Sequence, residues 1–212
     1  MYQGRKSWHV ETIRYYQLML SLAIGNGESR SGIDLDKIPK DITVGCNAVI
    51  RDFAVDHLVC VDRRMVREAL NYFDQPIYTR PDWIKEFKQH PRVKLVPDLP
   101  YAGNTSADDP FHWGSGPYAV LLAASISDTV SLIGFDLWSK DQHINNLYKG
   151  TDNYNHADHR AIDPKYWIHQ ISIVFKHHPD KYFIVYNEKD WKIPDQWHLA
   201  NVSFKDLDLL RQ

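Results

Sequence analysis

The sequence predicts an α/β fold in which helices cover both faces of a mostly parallel, Rossmann-like sheet. Short, dense apolar runs recur along the chain, helical patterns fall between them, and a small or polar residue closes each run. Strands that are covered on both faces give such continuous apolar runs rather than alternating ones. The length of 212 residues suits one compact domain spanning residues 1–212.

Six apolar runs are the predicted strands. They occupy residues 19–24, 42–44, 58–61, 93–96, 130–133 and 182–186. Residues 66–72 and 82–89 are short amphipathic helix candidates. Residues 115–126 carry no charge and predict a buried central helix with Ser115 as a candidate cap. The last predicted helix opens at Asp163 and Pro164 and ends before Pro179.

The amino-acid composition of the chain argues against several classes of function. Lysine and arginine number 25 against 27 aspartates and glutamates, so a net charge of -2 predicts no general binding to nucleic acid or membrane surfaces. The apolar run before Gly25 is far shorter than the roughly 20 residues of a membrane span, and Glu11 and Arg14 argue against a signal peptide. Cys46 and Cys60 lie in apolar runs, which favours buried thiols in a cytoplasmic protein. A homo-oligomer stays open.

Glycines and small polar residues gather where the predicted strands end and where the central helix begins. In an open α/β sheet these positions surround the ligand, and helix N-terminal amides offer an anion site. The candidate binding residues are Gly25, Asn26, Gly27, Ser29, Asn47, Asp62, Ser115, Gly116, Gly134 and Asp136. The full dinucleotide fingerprint is absent, because Arg30 stands where its third glycine would fall. Asp62 would either bind a ribose hydroxyl or cap a helix. The negative charge of Glu28 near a phosphate would be offset by Arg30, Arg63 or Arg64.

A polar segment at residues 138–163 predicts a lid within the single domain. It contains few aliphatic residues and many asparagines, aspartates, histidines and tyrosines. An irregular segment of this length is uncommon in a compact domain unless it has a function of this kind. Tyr148, Tyr154, His156 and His159 are its candidate functional residues.

The order of the short motifs resembles a known family. The chain reads GNGES at residues 25–29, GCN at 45–47, SG at 115–116 and GFD at 134–136. The bacterial CMP-sialic-acid-dependent sialyltransferases of glycosyltransferase family 42 are similar, with G-N-G-P-S, R-C-N, S-G and G-I-D-F in the same order. This resemblance implies a single-domain GT-A-variant fold and a CMP-activated sugar donor, such as a sialic acid. Glu28 departs from the family's proline, and Asp62 departs from its asparagine.

Carried over by position, the resemblance implies a nucleotide site lined by Asn26, Gly27, Ser29 and Asn47. It implies that Ser115 and Gly116 lie near the cytidine and the donor sugar, and Asp136 near the base or ribose. Tyrosine hydroxyls of the lid, here Tyr148 and Tyr154, would support the leaving phosphate. From their charge, and not from the resemblance, Arg30 and Arg63 are further candidates at the phosphate. We name the nucleotide sugar as substrate and predict no separate cofactor.

The implied mechanism is inverting transfer without a metal to the hydroxyl of a glycan or other acceptor. A neutral imidazole suits the base that takes the acceptor proton, because it titrates near working pH. The candidates are His159 and His156 in the lid and His112 before the central helix. Trp113 and Trp138 are candidates for stacking on a sugar or base.

Other constellations give weaker signals. His156 and His159 lack a third distant ligand for a metal, and the acidic start of a helix explains Asp34 and Asp36 better than a metal motif does. Two further functions stay open on a similar fold. One is a pyrophosphokinase or other Mg²⁺-dependent nucleotide-phosphate transferase. The other is a non-catalytic nucleotide- or carbohydrate-binding protein.

Overall fold

A single eight-stranded sheet, with every pair of neighbouring strands parallel, organises the computed structural model. The structure describes residues 18–100, 113–139 and 142–211. The strands are β1 Leu20–Ile24, β2 Ile42–Cys46, β3 His57–Val59, β4 Ile77–Thr79, β5 Val93–Leu95, β6 Thr129–Ile133, β7 Tyr182–Asn187 and β8 Val202–Asp206. Their order across the sheet is β5-β4-β3-β2-β1-β6-β7-β8, which confirms the predicted fold class.

The strand order reverses between β1 and β6. Strands β2 to β5 extend from one side of β1, whereas β6 to β8 extend from the other. Ile24 pairs with Ile133 at the carboxyl ends of these two strands, so the loops that follow them begin side by side. In open α/β sheets such a reversal opens a crevice outside the strand ends, where ligands bind.

Within the described residues, four α-helices accompany the strands: α1 Arg63–Leu70, α2 Pro81–Ile84, α3 Ser115–Ile126 and α4 Lys165–His177. Short 3-10 helices lie at Glu28–Arg30, Leu35–Lys37, Asn47–Arg51, Asp195–Trp197 and Leu207–Leu210. Nine of the twelve residues of α3 are buried, as expected of a helix without charge. No helix in the described part of the chain combines the length and apolarity needed to cross a membrane.

Each face of the sheet has its own hydrophobic core, because successive side chains of a strand point to opposite faces. On β1, Ala23 packs with α3 and α4, whereas Leu22 and Ile24 pack with α1 and the 3-10 helices. Cys46 and Cys60 are free, buried thiols, one in each core. Burial raises the pKa of the Cys46 thiol to about 12, so it stays protonated and unreactive.

Some local predictions differ from the structure. Strand β4 has three residues, and the edge strand β8 carries polar residues, so neither forms the dense apolar run by which a strand was predicted. The helix predicted at 82–89 is α-helical only to Ile84 and continues in turns. The cap of α3 is Gly114 rather than Ser115, whose hydroxyl bonds elsewhere.

Candidate functional site

A cavity of about 400 Å³ lies outside the carboxyl ends of β1, β2, β3 and β6, at the reversal of strand order. Its volume is in the ~300–1,000 Å³ range of small-molecule sites. We call it the β1/β6 cavity. Ten predicted site residues line it: Gly25, Asn26, Gly27, Asn47, Asp62, Ser115, Gly116, Gly134, Asp136 and Tyr154.

Glycines let the loops after β1 and β6 approach each other closely. A Cβ added at Gly25 would lie 2.2 Å from the carbonyl oxygen of Gly134, and Gly134 itself has a φ of 73°. A Cβ added at Gly27 would lie 2.3 Å from the carboxyl carbon of Asp136. These separations are far inside van der Waals contact. The cavity wall therefore requires glycine at these positions.

Asp136 is the buried carboxyl of this wall, with 6% of its surface exposed. It accepts hydrogen bonds from the Ser29 backbone N–H, at 2.9 Å, and from the Ser29 hydroxyl. Burial raises the pKa of Asp136, and the hydrogen bonds from Ser29 and Asn145 offset only part of that effect. Ser29 thus supports the site through Asp136 rather than by lining the cavity.

The hydroxyl of Ser115 fastens the N-terminus of α3 to the ends of two strands. It donates to Oδ1 of Asn47 at 2.8 Å and accepts from the backbone N–H of Val61 at 3.0 Å. Asn47 follows β2 with a φ of 51°, a conformation that asparagine tolerates better than most residues. The first turn of α3, with the Ser115 and Gly116 amides, is therefore held at the cavity wall.

Asn26 carries an unused hydrogen-bond acceptor in the cavity. Its Nδ2 donates to the Cys46 carbonyl at 3.2 Å and to the Tyr154 hydroxyl at 3.1 Å. Its Oδ1 is buried and has no hydrogen-bond partner in the described part of the chain. A buried acceptor left without a partner is unfavourable by about 1–3 kcal/mol. This atom is therefore suited to a donor group of a ligand.

The segment predicted as a lid is irregular in its described residues, 138–139 and 142–163, apart from one isolated β-bridge. Its residues Ile144, Asn145 and Tyr154 line the cavity, and hydrogen bonds fasten the segment to the loops that follow the strands. Leu147 donates from its backbone N–H to the Asn26 carbonyl at 2.9 Å. The Arg51 guanidinium donates to the Thr151 hydroxyl and to the Asp152 carbonyl.

Tyr148 and Arg30 belong to this fastening and do not line the β1/β6 cavity. Arg30, 4% exposed, donates to the Tyr148 hydroxyl at 2.6 Å, to Asp52 at 3.2 Å and to the Gly25 carbonyl at 2.8 Å. The Tyr148 hydroxyl in turn donates to Asp52. All these polar groups bond one another, so the structure does not bring them to a ligand.

Three further predicted residues also lie away from the lining of the cavity. Arg63 is exposed and places its guanidinium 5.2 Å from the centre of the Trp83 ring. His156 and His159 are exposed lid residues, and no histidine among the described residues lines the cavity. His112 lies outside the described residues. Trp113 is 1% exposed and packs in the core, which excludes stacking on a ligand.

Two acidic residues have roles that the sequence left open. Asp62 caps α1 by accepting from the Arg64 backbone N–H, and it also lines the cavity. Burial acts to raise the pKa of Asp62, but the hydrogen bonds from Arg64 outweigh it and lower the pKa. The charge of Glu28 is offset by Lys149, at 2.6 Å, rather than by any of the three arginines considered.

Sequence reasoning missed several lining residues. Trp167, in the first turn of α4, lines the cavity together with the lid residues Asn145 and Asn146. In the sequence, Trp167 belongs to the apolar stripe of its helix, which predicts a core residue rather than a ligand contact. Its place directly after the lid, at the start of a helix, was the available signal. Asn145 and Asn146 lie in a polar segment in which no pattern distinguishes them from the other polar residues.

Residues 18–100, 113–139 and 142–211 contain no group of three histidine, cysteine, aspartate or glutamate side chains placed to hold a metal ion. Asp34 instead caps the 3-10 helix Leu35–Lys37 by accepting from the Asp36 backbone N–H, as the sequence favoured.

No protein-family model matches the chain, and no curated protein matches it. Among solved structures it is similar to the sialyltransferase CstII from Campylobacter jejuni, determined in complex with the substrate analogue CMP-3FNeuAc. The identity is 16%, the TM-score is 0.45, and the match covers 80% of this chain and 81% of that chain. The chain thus has a distant resemblance in structure to a sialyltransferase.

Proposed function

We propose that this protein is a glycosyltransferase that binds a nucleotide sugar, with CMP as its nucleotide, in the β1/β6 cavity. The observation that carries the proposal is the convergence of all four resembling motifs on this cavity. The motifs are separated in sequence, yet their residues line one cavity: Gly25 to Gly27, Asn47, Ser115 with Gly116, and Gly134 with Asp136. A cavity at the reversal of strand order is the usual ligand site of such sheets.

The polar groups of the cavity suit a nucleoside. The unpartnered Oδ1 of Asn26 is an acceptor for a ribose hydroxyl or for the exocyclic amine of cytosine. Trp167 and Ile171 supply an apolar surface for the base or the sugar. A ligand with both an apolar face and hydrogen-bond donors satisfies these groups together.

The leaving phosphate is assigned to the N-terminus of α3. The Ser115 and Gly116 amides lie there, and the helix dipole favours an anion. Neither lysine nor arginine is among the described lining residues, whereas Asp62 and Asp136 are. The raised pKa of Asp136 and the Arg30 charge behind the Gly25 carbonyl reduce the repulsion. We therefore propose a nucleoside monophosphate leaving group, which carries less charge than a diphosphate, and transfer without metal.

The acceptor hydroxyl would attack the anomeric carbon with inversion while a base takes its proton. We retain His159, His156 and His112 as the candidate bases. Alanine variants at these positions test them singly. Loss of transfer with retained CMP binding identifies the base, and full activity in all three variants rejects the assignment.

A thermal-shift panel of CMP, CDP, UDP, GDP and ATP, each with Mg²⁺ or with EDTA, tests the proposal. A ligand that binds only the folded state stabilises it by about 2.7 kcal/mol at one hundred times its Kd. We expect stabilisation by CMP that EDTA does not change. Stabilisation by ATP with Mg²⁺ alone would instead favour the nucleotide-phosphate transferase. CMP binding without any release of sugar from a CMP-sugar would favour the binding protein.

A further inference from the structure

A second concave site adjoins the β1/β6 cavity at the carboxyl ends of β6 and β7. It has a volume of about 720 Å³ and is lined by residues that include Asp136, Trp138, Asn187, Glu188 and Trp191. We call it the β6/β7 cleft. Asp136 lines both the cleft and the cavity. Ser139 and Asn145 are shared as well, so ligands in the two sites would be neighbours.

Asn187, the last residue of β7, supplies the first sign that the cleft holds a ligand. It is 6% exposed, and its Oδ1 accepts from the Glu188 backbone N–H at 2.9 Å. Its Nδ2 is buried without a hydrogen-bond partner in the described part of the chain. A buried donor without a partner is unfavourable by about 1–3 kcal/mol. An acceptor oxygen of a ligand would remove that penalty.

The two tryptophans of the cleft offer ring surface rather than hydrogen bonds. The Trp138 indole N–H donates to the Lys192 carbonyl at 2.7 Å, and the Trp191 indole N–H donates to the Asp136 carbonyl at 2.6 Å. These two bonds tie the loop after β6 to the loop after β7. Both N–H groups are used within the protein, so the indoles line the cleft with ring surface. The Lys192 Nζ lies 5.7 Å from the centre of the Trp138 ring, and the Trp191 ring packs against Trp197 and Phe204. The C–H face of a sugar ring packs against aromatic surface of this kind.

The charge of the cleft disfavours an anion. Glu28, Asp136, Glu188 and Asp190 contribute carboxyl groups, of which Glu28 is paired with Lys149 and Asp136 has a pKa raised by burial, whereas Lys192 is the lining cation among the described residues. Carboxylates accept hydrogen bonds from hydroxyls and repel phosphates. This surface therefore fits an uncharged ligand with several hydroxyl groups.

A strained turn holds the wall between the two sites. Leu137 has a φ of 61°, and the Trp138 backbone N–H donates across it to the Asp136 carbonyl at 2.6 Å. This γ-turn with positive φ is rare, and it is unfavourable for a bulky residue. Such strain concentrates at functional sites because the surroundings must stabilise it. Here it places Asp136 and Trp138 at consecutive points along the cleft.

The geometry points to the β6/β7 cleft as the acceptor site, which takes an uncharged sugar residue through its hydroxyl groups and its C–H face. This inference rests on the proposed function, because it is the nucleotide sugar in the adjoining cavity that makes the second ligand an acceptor. Asn187 Nδ2 donates to a sugar oxygen, Trp138 packs on the ring, and the carboxyl groups accept from hydroxyls.

Saturation-transfer NMR with the methyl glycosides of glucose, galactose, mannose and N-acetylglucosamine tests the inference, with and without saturating CMP. At least one glycoside should bind the wild-type protein. Asn187→Asp, which keeps the shape of the side chain and removes the donor, should weaken binding by about tenfold, as expected for loss of one hydrogen bond. Trp138→Ala should weaken it further, and Trp138→Phe should restore part of the affinity. The matched control Asn71→Ala changes an exposed asparagine far from the cleft and should have no effect.

The melting temperature without ligand serves as the test of folding in each variant, and the CMP-induced thermal shift separates the two proposals. Stabilisation by CMP without binding of any glycoside overturns the acceptor site alone. Glycoside binding that both cleft variants retain in full also overturns it. Glycoside binding that depends on Asn187 and Trp138, in a protein that CMP does not stabilise, keeps the cleft as a sugar site and rejects the nucleotide-sugar cavity.

Discussion

The β1/β6 cavity and the β6/β7 cleft share Asp136 but are made of different chemical groups. The cavity combines glycine loops, neutral amides and a helix N-terminus with Trp167 and the carboxyl groups of Asp62 and Asp136, whereas the cleft has four carboxyl groups and two tryptophans among its described lining residues. Amide N–H groups favour an anion, and carboxyl groups with aromatic faces favour an uncharged polyol. One end of a parallel sheet thus carries two adjoining concave sites of different chemical character, which share Asp136, Ser139 and Asn145.

A second comparison, between two tyrosines, distinguishes residues that line a ligand site from residues that hold its wall in place. Tyr154 and Tyr148 are six positions apart in the lid, and both read alike in the sequence. Tyr154 lines the cavity and accepts from Asn26, whereas Tyr148 bonds Arg30 and Asp52 away from it. Burial raises the pKa of both hydroxyls, so both stay protonated at neutral pH.

The largest effect is expected from Gly27→Ala, which distorts the cavity wall at Asp136, a side chain that the cavity shares with the cleft. The new Cβ would overlap the Asp136 carboxyl, so the wall must shift. We expect the CMP-induced thermal shift to vanish and the free energy of unfolding to fall by about 1–3 kcal/mol.

Gly32→Ala is the matched control for this variant. Gly32 has a φ of 73° and open space around it, so alanine there is destabilising by roughly 1–2 kcal/mol through backbone strain alone. Its CMP shift should persist. An undiminished CMP shift in Gly27→Ala would show that the nucleotide does not occupy this cavity.

A smaller effect is expected from removing one hydroxyl from either lid tyrosine. Tyr154→Phe takes an acceptor from Asn26 and should raise the Kd for CMP about 5- to 10-fold, corresponding to about 1–1.4 kcal/mol. Tyr148→Phe should instead lower the free energy of unfolding by about 1–2 kcal/mol and leave the Kd unchanged. Calorimetric titration and urea denaturation measure the two quantities. Equal changes of the Kd and of the free energy of unfolding in both variants would contradict the assignment of Tyr154 to the cavity lining and of Tyr148 to the contacts that hold the segment in place.

The smallest effect concerns the shared side chain and appears in the pH dependence of stability. Burial raises the pKa of Asp136 above its ordinary value of 3.8 in the folded state, so the folded state binds this proton more tightly than the unfolded state. This contribution to stability is therefore present at low pH and is lost as pH rises through the raised pKa.

Asp136→Asn removes that titration. The stability of the wild type relative to the variant should fall as pH rises from about 3.8 through the raised pKa, and then level off. Urea denaturation of both proteins at several pH values measures the difference, in which the other carboxyl groups cancel. Parallel stability curves would mean that Asp136 is not held in a buried, weakly solvated state.

Much of the fold could be predicted because its signals are local. Dense apolar runs gave six strands, and the absence of charge in 115–126 gave a buried helix whose ends match α3. Strand β8 lies at the sheet edge, where polar residues are tolerated, and none of its residues is fully buried, so it lacked this signal. The loops after β1, β2 and β6 were recognisable because glycine and asparagine punctuate the ends of apolar runs.

The candidate site was predictable where backbone geometry demands a residue type, as at Gly27 or Asn47. It was not predictable where a role depends on which side chains meet. Tyr148 and Arg30 were assigned to phosphate, yet they form an ion-pair network with Asp52. Trp191 and Asn187 could not be predicted as site residues, since nothing near them in sequence resembles a motif.

The fold class, the central helix and the glycine-rich character of the β1/β6 cavity follow from local patterns, because apolar periodicity and glycine placement act over a few neighbouring residues. Which strand ends adjoin, and hence that β7 brings a second cleft against Asp136, follows from the three-dimensional arrangement of the strands. Strand order and the burial of a carboxyl depend on contacts between residues that are distant along the chain, and no local pattern encodes such contacts.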